Sequence, residues 1–91
     1  MTDWAIVLTG PARRSLTRLP EKVGVAVVEF LYGSLAANPR RVGKELKLSL
    51  GGLHSARRGD YRVIYRIVDG DRRVEVVAIE HRSDAYRPSG P

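Results

Sequence analysis

The sequence predicts an α+β domain of order β-α-α-β-β-β. A small, mostly antiparallel sheet carries a helical hairpin packed on one face and leaves an open basic face on the other. Three observations carry that expectation. An apolar alternation opens the chain, two stretches of helical spacing follow, and the second half holds period-two runs separated by Gly-Asp and Asp-Gly turns. Ninety-one residues allow one core, so residues 1–91 form a single domain.

Each element has its own signal. Residues 4–9 alternate Trp4, Ile6 and Leu8 with Ala5, Val7 and Thr9, a first strand. Thr9 or Gly10 then caps a short helix with Pro11 at its first position and Pro20 as its stop near Leu19. Its apolar face is Ala12, Leu16 and Leu19. A second helix covers residues 21–36, where Val23, Val27, Phe30, Leu31 and Ser34 keep helical spacing and Asn38-Pro39 ends it. Its valines, Gly24 and Gly33 are poor helix formers, so packing must hold it together. Residues 39–53 form a basic connection in which Leu46, Leu48 and Leu50 alternate as anchors or a short strand. Strands over residues 54–58, 61–68 and 72–80 complete the sheet, and residues 88–91 read as a disordered tail.

Period two sorts the middle strand. Tyr61, Val63, Tyr65 and Ile67 point one way, towards the helices; Arg62, Ile64 and Arg66 point to the open face. The two tyrosines are therefore packing residues.

Charge is the most informative bulk property. Sixteen Lys and Arg face ten Asp and Glu, for a net charge of +6, and arginine dominates the positive side. Between residues 40 and 62, Arg40, Arg41, Lys44, Lys47, Arg57, Arg58 and Arg62 are opposed only by Glu45 and Asp60. The planar guanidinium fork suits phosphate, so a polyanion, nucleic acid above all, is the expected partner; a merely solubilising basic surface is the alternative. With no cysteine, disulfides and thiolate metal sites are excluded. The start does not resemble a signal peptide and no apolar run approaches a membrane span, so a cytoplasmic protein is expected.

Three quoted stretches carry a resemblance over nearly the whole chain. "LPEKVGVAVVEFLYGSLAANPRRVGKEL", "GLHSARRGDYRVIYRIVDG" and "VVAIEHRSDAYR" resemble the RelE/ParE toxin superfamily of bacterial type II toxin–antitoxin systems, leaning to its RelE-like branch. The resemblance implies a metal-independent, cofactor-free endoribonuclease that cleaves ribosome-bound mRNA by 2′-hydroxyl attack. It also implies a small acidic antitoxin as cognate partner, with mRNA and the 70S ribosome as targets and operator DNA bound indirectly through the antitoxin. A ParE-like gyrase inhibitor and an inactive homologue that acts only with its antitoxin are the alternatives. On the family's functional positions fall Arg62, His81, Arg82 and Tyr86. Where the best-known RelE pattern has two strand lysines, this chain has Leu53 and Ser55, so acid–base work falls to His54, His81 or a loop lysine.

Such cleavage needs a base for the 2′-hydroxyl, cations for the phosphate oxygens and an acid for the leaving 5′-oxygen. Arg62, mid-strand on the open face, is the expected clamp; its alternative is an exposed arginine paired with a cross-strand acid such as Glu75. His81, beside Arg82, is the expected base. His54 has the opposite parity from Arg57 and is a weaker candidate. Tyr86 either stacks on a splayed base or pins the C-terminal segment. Arg40, Arg41, Lys44, Lys47, Arg57 and Arg58 are the expected RNA contacts, with solvated loop charge as the alternative.

Overall fold

A computed structural model describes residues 3–47 and 52–81. The expectations for Leu48, Leu50, Arg82, Tyr86 and the tail at 88–91 lie outside the described residues. Strand β1 (Ala5–Leu8) leads into helices α1 (Gly10–Arg18) and α2 (Glu21–Phe30). Four strands follow: β2 (Lys44–Glu45), β3 (Leu53–Arg58), β4 (Tyr61–Val68) and β5 (Arg73–His81). The sheet order is β1-β5-β4-β3-β2, with β1 parallel to β5 and every other pairing antiparallel. The predicted order therefore stands, with a two-residue edge strand added at Lys44–Glu45, ahead of the leucine alternation; Leu46 is exposed and lies outside the strand, so it does not anchor the connection.

Local chemistry sets the helix limits. Thr9 is the N-cap of α1 and its hydroxyl accepts from the Ala12 amide at 3.3 Å. Leu19 leaves helical geometry ahead of Pro20, and Glu21 places a carboxylate at the positive end of α2. The second helix does not run unbroken to residue 36. It widens into a π-helical turn at Leu31–Leu35, which still buries Leu31 and Leu35 completely. The wider turn contains Gly33, which contributes no side chain to packing.

The core lies between the helices and one face of the sheet. Ala12, Val27, Leu31, Leu35, Val63, Tyr65, Val74 and Val76 are fully buried, with Trp4, Ile6, Leu8, Leu16, Tyr61 and Ile67 packed around them. This confirms the parity of β4: its tyrosines and Val63 face the helices. A buried hydroxyl must find a partner, and that of Tyr65 donates to the Pro39 carbonyl at 2.6 Å. Burial pushes the Tyr65 phenol up to about 12. The bond fixes the start of the basic connection. Gly43 completes the same contact: a Cβ there would strike the Tyr65 hydroxyl and come within 2.8 Å of the Ser55 carbonyl.

One irregularity controls which side chains reach the open face. Ile64 pairs with Ala78 but Tyr65 pairs with Val76, so Val77 is an extra residue, a β-bulge in β5. Strict alternation from Glu75 would carry His81 to the open face with it. The bulge inverts the parity beyond Val77, burying Ile79 at 3% exposure and turning Glu80 outward. Thr9 holds this point: its amide donates to the Val76 carbonyl at 3.0 Å and its hydroxyl to the Val77 carbonyl at 3.2 Å. Among the described residues, no helix is long and apolar enough to cross a membrane.

Candidate functional site

The open face is built from alternate residues of four strands. Lys44 of β2 stands opposite Ser55 of β3, Ser55 opposite Ile64 of β4, and Arg57 opposite Arg62. Beside them runs a groove of about 560 Å³, lined by Arg41, Lys44, Ser55, Arg57, Arg58 and Arg62 among others. Two guanidiniums directly opposite on neighbouring strands repel, by a few tenths to about 1 kcal/mol. A multivalent anion seated between them reverses that sign, since the same charges then attract it together.

The acids on this face pair in register. Arg62 lies 3.6 Å from Glu80, and Arg66 lies 3.7 Å from Glu75. Arg73 also reaches Glu75, at 3.2 Å, and Asp71 at 2.8 Å. The cross-strand acid facing Arg62 is thus Glu80 rather than Glu75, because the bulge moves Glu80 into that position. Both Arg62 and Glu80 remain about half exposed, at 47% and 53%. An exposed pair at that separation contributes little to stability, roughly 0–1 kcal/mol. For Arg57 and Lys44, no carboxylate partner is found among the described residues.

The two expected catalytic residues among the described ones, Arg62 and His81, do not share a face of the sheet. His81 stands opposite Tyr61, so it shares the helix-facing parity and lies on the other side of the sheet from Arg62. His54 stands opposite Tyr65 and stacks on its ring, 5.5 Å between centroids, with Nδ1 3.2 Å from the Gly52 carbonyl oxygen. Arg82 and Tyr86 lie outside the described residues.

The expected RNA contacts separate into two groups. Arg41, Lys44 and Arg57 border the groove, and Lys47 is exposed at the end of the described connection. Arg58 also reaches the rim, yet its guanidinium sits 4.8 Å over the Phe30 ring and donates to the Val42 and Arg57 carbonyls. Arg40 closes a two-pronged bond on Asp69 at 2.9 and 2.7 Å. That bond holds the Asp69 carboxyl below its ordinary range and the Arg40 guanidinium above its own. Arg40 and Arg58 therefore tie the basic connection to the domain, while Arg41, Lys44, Arg57 and Arg62 line the groove.

Glu80 escaped sequence reasoning because its direction depends on the bulge, and no residue at Val77 announces one. The opposition of Arg57 and Arg62 was nearer to hand: a tight Gly59-Asp60 turn between two strands sets that register.

The profile of the family described as "ParE toxin of type II toxin-antitoxin system, parDE" matches residues 6–86. Toxin RelE of Mycobacterium tuberculosis is 56% identical over 82 residues, covering 90% of this chain and 84% of that protein. Toxin RelG of the same organism is 46% identical over 84 residues, covering 92% and 97%. Among solved structures, the toxin–antitoxin complex RelBE2 from Mycobacterium tuberculosis contains a chain that superposes with a TM-score of 0.86 at 45% identity, over 92% of this chain and 97% of that one. The fold and these relatives agree with one another: the chain belongs to the RelE/ParE superfamily of type II toxins, and to its RelE-like side.

Proposed function

We propose that this toxin is an mRNA endoribonuclease that acts on ribosome-bound message in the cytoplasm. The observation that carries this reading is the Arg57–Arg62 opposition at a basic groove on a rigid sheet face. Phosphoryl transfer needs fixed cations where charge develops on the phosphate oxygens, and a strand holds their origins better than a loop. Arg62 clamps the scissile phosphate, Arg57 supports it, and Arg41, Lys44 and Lys47 follow the backbone on either side. Arg82 and Tyr86, which follow β5 in the sequence, complete the site in this reading, with Tyr86 stacking on a base. His81 stays a candidate for proton transfer only if its ring reaches round the end of β5.

A cognate antitoxin is the second part of the proposal. The relative in the RelBE2 complex is solved with its antitoxin, and a +6 chain offers an acidic segment strong charge pairing. Such a partner covers the same groove, blocks message and carries the toxin to operator DNA.

Expression of the toxin alone tests the reading. Translation should stop while supercoiling by purified gyrase continues in the presence of the protein. Inhibited gyrase with uncut message would instead support the ParE-like activity.

A further inference from the structure

We infer that Glu80 is the general base of this site, an assignment that rests on the endoribonuclease reading above. Its carboxylate stands directly opposite Arg62 on the open face, 3.6 Å from the guanidinium and 53% exposed. Charge-assisted hydrogen bonds run at about 2.7–2.9 Å, so the carboxylate is not locked onto Arg62 and retains acceptor capacity. A nucleotide whose 3′-phosphate rests on Arg62 has its 2′-hydroxyl next to that phosphate, within reach of the neighbouring strand.

The other described groups fit the task less well. His81 has the parity of Tyr61, on the helix side. Glu75 is shared between Arg66 and Arg73 and lies five residues along β5. Glu45 also lines the groove, but from the edge strand β2, two strands away from Arg62, and Asp60 sits in the turn between β3 and β4. Arginines stay protonated at any working pH and cannot accept the proton.

The step balances without a cofactor. The Glu80 carboxylate takes the 2′-hydroxyl proton as the 2′-oxygen bonds to phosphorus. The bond from phosphorus to the 5′-oxygen breaks, and the departing oxygen takes a proton from water. The hydroxide so formed recovers the proton from Glu80, leaving a 2′,3′-cyclic phosphate and a 5′-hydroxyl. The charged groups facing Glu80 from the adjoining strands are Arg62 of β4 and, beyond it, Arg57 of β3.

The test uses the full chain and a programmed 70S ribosome carrying a short mRNA, with a 2′-O-methyl RNA as the uncleavable probe of binding. Glu80→Gln should lower kcat by about 10²–10⁴-fold and remove the acidic limb of its pH profile. The same variant should bind the 2′-O-methyl RNA as tightly as the parent or more tightly, because a negative charge has left the face. Glu75→Gln, on the same strand and face, should cleave at the parent rate. Glu80→Gln cleaving within about threefold of the parent overturns the assignment, as does a loss confined to binding. A parent chain that cuts no message overturns both this assignment and the nuclease reading.

Discussion

Arg57 and Arg62 stand directly opposite one another across β3 and β4, two fixed positive charges on the open face of the sheet. Without an anion the pair is a small liability. Arg57→Gln should therefore leave the thermal midpoint unchanged or raise stability by about 0.5 kcal/mol. The same change should weaken binding to single-stranded RNA and reduce the slope of log affinity against log salt by about 0.7. Thermal melts and a salt titration of RNA binding check the two halves of this expectation. A charge pair kept only for solubility would show no effect on RNA.

Thr9 joins three elements, capping α1 while its amide and hydroxyl hold the bulge in β5. Thr9→Ala should cost about 0.5–2 kcal/mol through the lost cap. Because the bulge decides that Glu80 faces outward, cleavage by this variant should fall further than its stability alone explains. Urea unfolding beside a cleavage assay measures both.

Tyr65 offers a pH signature. Its phenol is held in the core, donating to the Pro39 carbonyl, and burial raises it from 10.0 to about 12. The contribution of the neutral phenol is complete below pH 10, where neither state ionises. As pH rises from 10 towards 12 the unfolded chain loses its proton first, so folded stability declines across that window. Tyr65→Phe should cost about 1–3 kcal/mol at pH 8, because the Pro39 carbonyl loses its partner. This variant should lack the Tyr65 share of the alkaline decline, which denaturant titrations at pH 8 and pH 11 would reveal.

Gly43 has no space for a side chain, because a Cβ there would meet the Tyr65 hydroxyl and the Ser55 carbonyl. Gly43→Ala should cost about 1–3 kcal/mol and shift Lys44 relative to the groove. Weaker RNA binding at a temperature where the variant is still folded would show that the displacement reaches the open face.

Much of this architecture is legible in the residues. Pro11, Pro20, Asn38-Pro39 and the Gly-Asp and Asp-Gly turns mark the element limits, and period two in β4 separates Tyr61, Val63 and Tyr65 from Arg62 and Arg66. Two departures have local causes invisible to periodicity. The π-helical turn at Leu31–Leu35 keeps apolar spacing while widening the helix, so its residues still read as α-helical. The bulge at Val77 is one valine in an apolar run, yet it exchanges the faces of Glu80 and His81. His81 stands out in the sequence as a histidine beside Arg82, whereas the face of the acid before it is set by the bulge. Charge runs also hide tertiary pairing. Arg40 and Arg58 look the same as their neighbours in the sequence, yet each also has a tertiary partner, Asp69 for one and Phe30 for the other.

Mapping the 5′ ends of ribosome-bound mRNA after addition of the purified protein tests the central claim most directly. The wild-type chain should create new 5′-hydroxyl ends within the message, and Arg62→Ala should reduce their rate of appearance by about 10²–10³-fold while keeping its thermal midpoint. No new ends with the wild-type chain, or undiminished cleavage by Arg62→Ala, would contradict the assignment of this sheet face as the nuclease site.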